Sequence, residues 1–112
     1  MPTVAIYYRN KTDESAIKDL IAPIKSFIAE RVSCSEILLA PDEVSVRTVY
    51  VEHGDGMLAD IELDITAANF QERIKKQDQI CLDVQAYVKQ RVAGTTSVNV
   101  WLKLHELGHS FE

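Results

Sequence analysis

The segment VSVRTVYVEHGDGMLADIELDI, residues 44–65, predicts two strands joined by a turn. Residues 44–52 are rich in β-branched side chains, and residues 57–65 alternate apolar with acidic residues at the period of two that a half-buried strand requires. Between these runs, HGDG at 53–56 concentrates residues that favour a tight turn. The fold class therefore depends on which elements flank this central pair of strands.

One strand and one helix are predicted on the N-terminal side of the pair. TVAIYY at 3–8 has the β-branched and aromatic composition of a strand. Thr12 is a candidate helix N-cap, and apolar residues then recur at helical spacing as far as Val32. Pro23 interrupts this stripe and predicts a kink or a restart of the helix.

The C-terminal side repeats this order with a second helix and a last strand. Asn69 and Glu72 form a candidate capping box before a helical apolar pattern, and SVNVWLKL at 97–104 is the fourth strand. The order β-α-β-β-α-β predicts an α+β fold in which two β-α-β units form one four-stranded sheet with both helices on one face. With only two helices available, the second face is expected to pack against other copies of the chain.

The composition predicts a single soluble domain that spans residues 1–112. Seventeen acidic against 12 basic side chains give a net charge of -5, which argues against nucleic acid or an anionic membrane as a partner. No apolar run approaches the roughly 20 residues of a membrane span, and the N-terminus does not resemble a secretory signal, so we expect a cytoplasmic protein. Cys34 and Cys81 are expected to be reduced thiols, because they form no C-x-x-C motif.

A literal match to the zinc-peptidase signature H-E-x-x-H occurs where HELGH occupies residues 105–109. The signature requires a helix that places both histidines one turn apart, together with a third protein ligand. Here His105 directly follows a predicted strand, Gly108 disfavours a helix, and three residues follow His109. We therefore interpret the motif as a coincidence, expect no metal site, and assign the segment to a tail that packs on a neighbouring subunit.

Pro2 follows Met1 and heads the first predicted strand. Removal of Met1 would give Pro2 a free secondary amine, whereas an attached Met1 leaves an amide nitrogen without a basic lone pair. An α-amine titrates near roughly 8 in model peptides, and burial or a nearby cation lowers that pKa. A free amine at Pro2 could then take a proton from one carbon of a substrate and return it to another.

Several motifs of the first half resemble the tautomerase superfamily, typified by 4-oxalocrotonate tautomerase. The matching features are Pro2 before the strand TVAIYY, the helix start KTDE at 11–14, the strand SVRTVYVE at 45–52 and the glycine-containing HGDGML at 53–58. Over its full length the chain is similar to fused members with two β-α-β units, such as macrophage migration inhibitory factor and carboxymethyl-hydroxymuconate isomerase.

The resemblance implies that Pro2 is the general base and acid and that Arg47 binds a substrate carboxylate through a bidentate pair. Lys11 would replace a second arginine of the family. Because lysine is a point charge and cannot reproduce a planar fork, this replacement puts the family's diacid preference in question. Arg47 and Lys11 could instead be solvated surface charges.

Three further positions follow from the same resemblance. Met57 or Leu58 falls where the family has an aromatic wall of the pocket. In fused members, alternate residues of the last strand face the proline of a neighbouring subunit, which implies Asn99 and Trp101 on one face of that strand. Trp101 could equally belong to the core or to a subunit interface.

The resemblance thus implies a tautomerase, an isomerase of the N-terminal proline type that needs no cofactor. It would move a proton on a small carboxylated keto–enol substrate and would act as a cytoplasmic homotrimer. A hydration-type dehalogenase or a decarboxylase would use the same proline. The alternatives are a non-catalytic binding or assembly module of this fold, an unrelated ferredoxin-like domain with the same element order, and a zinc peptidase.

Overall fold

The computed structural model describes residues 1–56, 59–92, 94 and 96–106. The elements follow the predicted order, except that the second helix is split in two. In chain order they are β1 (Thr3–Tyr8), a 3₁₀ turn (Lys11–Asp13), α1 (Glu14–Val32), a 3₁₀ turn (Pro41–Glu43), β2 (Ser45–Tyr50), β3 (Ile61–Ala68), α2 (Gln71–Lys75), α3 (Gln77–Lys89) and β4 (Val98–His105).

The four strands form one mixed sheet in the order β2-β1-β3-β4. β1 pairs in parallel with β2, β3 pairs in parallel with β4, and the two inner strands β1 and β3 are antiparallel. Each β-α-β unit therefore contributes one parallel pair, which confirms the predicted fold. The ferredoxin-like alternative is wrong. A ferredoxin-like sheet pairs antiparallel strands, whereas β1 and β2 are hydrogen-bonded neighbours that run in parallel.

The core lies between the helices and one face of the sheet. Along β3, Ile61, Leu63, Ile65 and Ala67 are fully buried, whereas the alternating residues are only half-buried. The helices contribute Ile17, Leu20, Ile24 and Ile28 from α1 and Ile80, Val84 and Val88 from α3. Burial of each such aliphatic side chain contributes about 1.5–3 kcal/mol, so this two-layer contact dominates the stability of the domain.

The other side of the sheet, which we call the open face, carries the alternate residues of every strand. Register places on it Thr3, Ala5 and Tyr7 of β1, Ser45, Arg47 and Val49 of β2, Glu62, Asp64 and Thr66 of β3, and Asn99, Trp101 and Lys103 of β4. This face is rich in polar and charged side chains. No helix in the described ranges is long and apolar enough to cross a membrane.

Both predicted helices differ in detail from the expectation. α1 is one element from Glu14 to Val32 and does not restart at Pro23, because the buried residues Leu20 and Ile24 on either side of the proline pack into the same core. The Asn69–Glu72 capping box was predicted wrongly. Phe70 precedes the first turn of α2, and the Glu72 carboxylate instead accepts hydrogen bonds from the backbone N–H and the hydroxyl of Ser35.

Candidate functional site at the proline end of the central strand

Pro2 lies at the N-terminal end of β1, one of the two inner strands of the sheet. The residue is buried, and its carbonyl oxygen accepts a hydrogen bond of 3.0 Å from the backbone N–H of Ser45 at the start of β2. Met1, by contrast, is 68% exposed. With Met1 attached, the nitrogen of Pro2 is an amide. Once Met1 is removed, the same contacts would fix a secondary amine at the end of β1.

Arg47 lies on the neighbouring strand, near the same end of the sheet. It is in register with Ala5, which in turn is in register with Asp64 on the other side of β1. The three residues therefore form a row across the open face, with the small side chain of Ala5 between an arginine and an aspartate. A depression of about 330 Å³ lies over this row and is lined by Thr3, Val4, Ala5, Tyr7, Arg47, Asp64 and Thr66.

The charges around this depression are unevenly paired. Asp64 Oδ2 lies 3.0 Å from Lys103 Nζ, but Asp64 Oδ1 is buried and receives no hydrogen bond from the described residues. Arg47 is exposed and has no ion pair within 4 Å among the residues that the structure describes. The depression thus offers one free guanidinium and one carboxylate oxygen without a donor.

Lys11 lies at the opposite end of β1 from Pro2. Its Nζ is 2.6 Å from a Glu14 oxygen and 4.5 Å from the centre of the Tyr50 ring, and Glu14 also pairs with Lys18 at 3.2 Å. The hydrogen bond to Glu14 raises the pKa of Lys11 above its ordinary value, and the same bond lowers the pKa of Glu14. Because the six residues of β1 span roughly 20 Å, Lys11 could approach a Pro2 only in another copy of the chain.

Asn99 and Trp101 share the open face of β4, as their spacing predicts. Trp101 is 50% exposed and is in register with Asp64, whereas Asn99 is in register with Glu62. A second depression of about 310 Å³ runs along this edge strand and is lined by Cys81, Leu82, Gln85, Asn99, Val100 and Trp101. Burial raises the pKa of the Cys81 thiol. These residues are separated from Pro2 by β1 and β3 within one chain.

Two other predicted sites fall partly or wholly outside the described residues. Met57, the implied pocket wall, lies outside them, as do residues 107–112, which include the last three residues of HELGH. His105 is described and is the last residue of β4. Its backbone is therefore extended, which is not the helical geometry that an H-E-x-x-H zinc site requires of its first histidine.

The comparisons with known proteins rest on structure alone. No protein-family model matches the sequence, and no curated protein matches it. Among solved structures, the macrophage migration inhibitory factor-like protein of Entamoeba histolytica superposes with a TM-score of 0.62 at 20% identity, over 95% of this chain and 88% of that one. A 5-carboxymethyl-2-hydroxymuconate delta-isomerase gives a TM-score of 0.65 at 8% identity, over 100% of this chain and 86% of its own.

The chain has the tautomerase-superfamily fold. A third neighbour agrees: N1, a member of the cis-3-chloroacrylic acid dehalogenase family, has a TM-score of 0.53 at 14% identity, over 91% of this chain and 73% of that one. Because each match covers at least 91% of this chain, the likeness extends over the whole fold.

Of the seven residues that line the depression of about 330 Å³, sequence reasoning named only Arg47 as a site residue, and it missed the polar residues Thr3, Tyr7, Asp64 and Thr66. A partial signal existed, because the acidic residues of 57–65 recur at period two and must share the face opposite the core. The register that sets Asp64 beside Ala5, and Ala5 beside Arg47, depends on long-range strand pairing. Pattern alone does not contain that information.

Proposed function

We propose that the protein is a cofactor-independent tautomerase that moves a proton on a small carboxylated keto–enol substrate, with Pro2 as the base once Met1 is removed. The observation that carries this proposal is the shared depression: Thr3, the residue directly after Pro2, lines the same depression as the unpaired Arg47. Pro2 and Arg47 thus lie near the same end of the sheet, which supports a role in proton transfer for the first and in anion binding for the second.

The proposed mechanism divides the work between these two groups. Arg47 holds the substrate carboxylate and so orients the carbon next to the carbonyl toward the proline. The neutral amine of Pro2 removes a proton from that carbon, and the negative charge moves to the carbonyl oxygen. Protonation of this oxygen gives the enol, and the reverse steps give the keto acid, so no atom or electron is gained or lost overall.

The backbone geometry suits an amine that must stay unprotonated in part at neutral pH. Pro2 is buried, its carbonyl is fixed by Ser45, and the exposed cation Arg47 lies on the adjacent strand. Because Arg47 aligns with Ala5, three residues beyond Pro2, the offset along the strands is roughly 10 Å. Burial favours the neutral form of an amine, whereas a cation acts strongly on an amine only within about 6 Å, so burial is the main influence proposed here.

The proposal includes a cytoplasmic homotrimer. The polar open face would lie against neighbouring copies, and Asn99 and Trp101 of one copy would close the site at Pro2 of another. Lys11 and Met57 are proposed as further substrate contacts supplied across the same boundary. The similarity of the whole chain to solved structures of this fold supports the proposed arrangement.

Turnover by proline variants tests the proposal. Met1-free protein, verified by intact mass, should accelerate the ketonisation of phenylenolpyruvate, and Pro2→Ala should lower kcat/KM by about 100-fold or more. Pro41→Ala is the matched control, because Pro41 is exposed in a 3₁₀ turn and should leave turnover unchanged. Equal rates for the wild type and Pro2→Ala would refute the assignment and favour the non-catalytic module.

A further inference from the structure

Pro23 lies in the interior of α1, and the proposed function gives this proline no role. A proline has no backbone N–H, so the carbonyl of Asp19, four residues earlier, lacks its ordinary helical donor. A backbone carbonyl without a donor favours a hydrogen bond from a group outside the helix. Because Asp19 is exposed, α1 carries an accessible acceptor that a helix without a proline would not have.

A cavity of about 410 Å³ adjoins this point of α1, and its lining residues are Ala16, Asp19, Leu20, Pro23 and Arg91. The four residues from α1 follow the i, i+3, i+4, i+7 spacing that places side chains on one face of a helix. Leu20 is 1% exposed and belongs to the core, whereas Asp19 and Arg91 are exposed and can be reached by a ligand. The volume falls in the range of small-molecule sites.

Stacking holds the guanidinium of Arg91 at this cavity. It lies 3.7 Å from the centre of the Tyr87 ring, and that ring stacks on Phe27 with 4.1 Å between the ring centres. Arg91 donates one long hydrogen bond, of 3.4 Å, to the carbonyl of Tyr87, and no carboxylate of the described residues lies within 4 Å of it. A planar guanidinium fixed on an aromatic ring keeps its remaining donors for an anion.

Asp19 brings the opposite charge to the same cavity. In the part of the chain that the structure describes, no basic side chain lies within 4 Å of its carboxylate. Asp19 therefore has two kinds of acceptor, its carboxylate and the backbone carbonyl that Pro23 leaves without a donor. The rest of the lining from α1 is apolar and consists of Ala16, Leu20 and the ring of Pro23.

We propose that this cavity binds an α-amino acid with an apolar side chain. The ligand carboxylate pairs with Arg91, the ammonium group donates to Asp19, and the side chain packs on Leu20 and Pro23. An α-amino acid carries an anion, a cationic donor and an apolar group on one carbon, and these are the three groups that the lining complements.

Three matched ligands test the inference by amide NMR spectra of the protein. L-phenylalanine carries all three groups, 3-phenylpropionate lacks the ammonium group, and phenethylamine lacks the carboxylate. L-phenylalanine should shift the backbone amides of Ala16, Leu20 and Arg91 with a Kd of about 1–10 mM, because its charged contacts are exposed to solvent. Each of the other two ligands should bind about fivefold more weakly at these amides, because each lacks one ion pair.

Arg91→Met removes the guanidinium but keeps an apolar contact with Tyr87, and it should weaken the binding of L-phenylalanine about fivefold. Lys89→Met is the matched control and should leave the Kd unchanged, since Lys89 is an exposed cation at the end of α3 that does not line the cavity. Pro23→Ala restores an N–H to α1 and so pairs the carbonyl of Asp19. This variant favours the helix, and its affinity for L-phenylalanine should fall about threefold.

The inference is overturned if L-phenylalanine at about 20 mM leaves the amides of the cavity unshifted, or if either of the other two ligands binds there as tightly. It is also overturned if Arg91→Met or Pro23→Ala binds L-phenylalanine as tightly as the wild type.

The outcome is independent of the proposed function. The cavity lies in the helical layer, whereas the depression that includes Arg47 lies on the open face, so the sheet separates the two. A protein that binds L-phenylalanine but does not turn over phenylenolpyruvate keeps the amino-acid site and loses the catalytic proposal. A protein with turnover and unshifted cavity amides keeps the catalytic proposal and loses the amino-acid site.

Discussion

Replacement of Arg73 by methionine should be among the most destabilising changes outside the apolar core. Arg73 is only 3% exposed, and it donates from Nε to the carbonyl of Val32 at 2.8 Å and from Nη1 to the carbonyl of Ala68 at 3.0 Å. The first carbonyl ends α1 and the second ends β3, so one side chain joins the two β-α-β units. Its guanidinium also lies 4.9 Å from the centre of the Phe70 ring.

The magnitude follows from these two hydrogen bonds. A hydrogen bond from a charged donor contributes about 1.5–3 kcal/mol, so two of them give roughly 3–6 kcal/mol. Burial lowers the pKa of Arg73 because desolvation disfavours the cation, and methionine removes that cost while it keeps most of the apolar volume. We therefore expect Arg73→Met to lower the free energy of unfolding by about 2–4 kcal/mol.

Urea unfolding followed by circular dichroism measures this loss. The control is Arg91→Met, because Arg91 is exposed, lies 3.7 Å from the centre of the Tyr87 ring and donates only one long hydrogen bond, from Nη1 to the carbonyl of Tyr87 at 3.4 Å. That variant should lose less than about 1 kcal/mol. The reasoning fails if the two variants lose the same amount, or if Arg73→Met stays within about 1 kcal/mol of the wild type at an unchanged m-value.

Two further predictions concern charged groups at the ends of the strands. Hydrogen bonds from Ser97 and Arg9 lower the pKa of Asp60 from 3.8 to about 2, so the charged carboxylate stabilises the fold above pH 3.8 and this contribution is lost as the pH falls toward 2. Asp60→Asn should therefore lower Tm at pH 7, and a scan of Tm against pH should show the gap to the wild type closing between 3.8 and 2; a constant gap would contradict this. Lys11→Gln should raise KM for phenylenolpyruvate by only about twofold, because Glu14 competes with the substrate for its ammonium group, whereas Arg47→Gln should raise KM by about tenfold. Steady-state kinetics of the two variants compare them directly, and a larger effect at Lys11 would reverse the ranking of the two cations.

The order of elements could be predicted because it depends on local patterns. Strands such as TVAIYY and residues 61–65 alternate or concentrate β-branched residues, and the stripe from Ile17 to Ile28 repeats at helical spacing. Given β-α-β-β-α-β, the preference for right-handed parallel crossovers leaves few sheets to choose from. Because a ferredoxin-like domain has the same element order, the two parallel pairs around an antiparallel centre were favoured by the resemblance and are confirmed by the strand pairing.

The details that were missed all depend on long-range contacts. Local sequence made a capping box at Asn69 and Glu72 plausible. In the structure the Glu72 carboxylate accepts a hydrogen bond from the backbone N–H of Ser35, and the helix is interrupted at Lys76, between α2 and α3. Arg73 reads as a surface charge of a helix, and only the fold brings Val32 and Ala68 within its reach.

The residues of the candidate site also divide into those that the sequence indicated and those that only long-range contacts reveal. Pro2 could be singled out because it heads a strand, and Arg47 because the resemblance implied it. The partner across Ala5, Asp64, required the register of two strand pairs. Lys11 was expected near the substrate, but within one chain it lies at the other end of β1 and is held by Glu14.

Two forms of the same chain test the central claim most directly, because they differ only in whether Met1 is attached. Protein freed of Met1 by an aminopeptidase and protein that retains Met1 can be separated, verified by intact mass and assayed side by side for phenylenolpyruvate ketonisation. The account predicts turnover from the Met1-free form and a loss of at least about 100-fold in the Met1-retaining form, because its Pro2 nitrogen is an amide. Equal turnover by the two forms, or none by either, would contradict a catalytic proline.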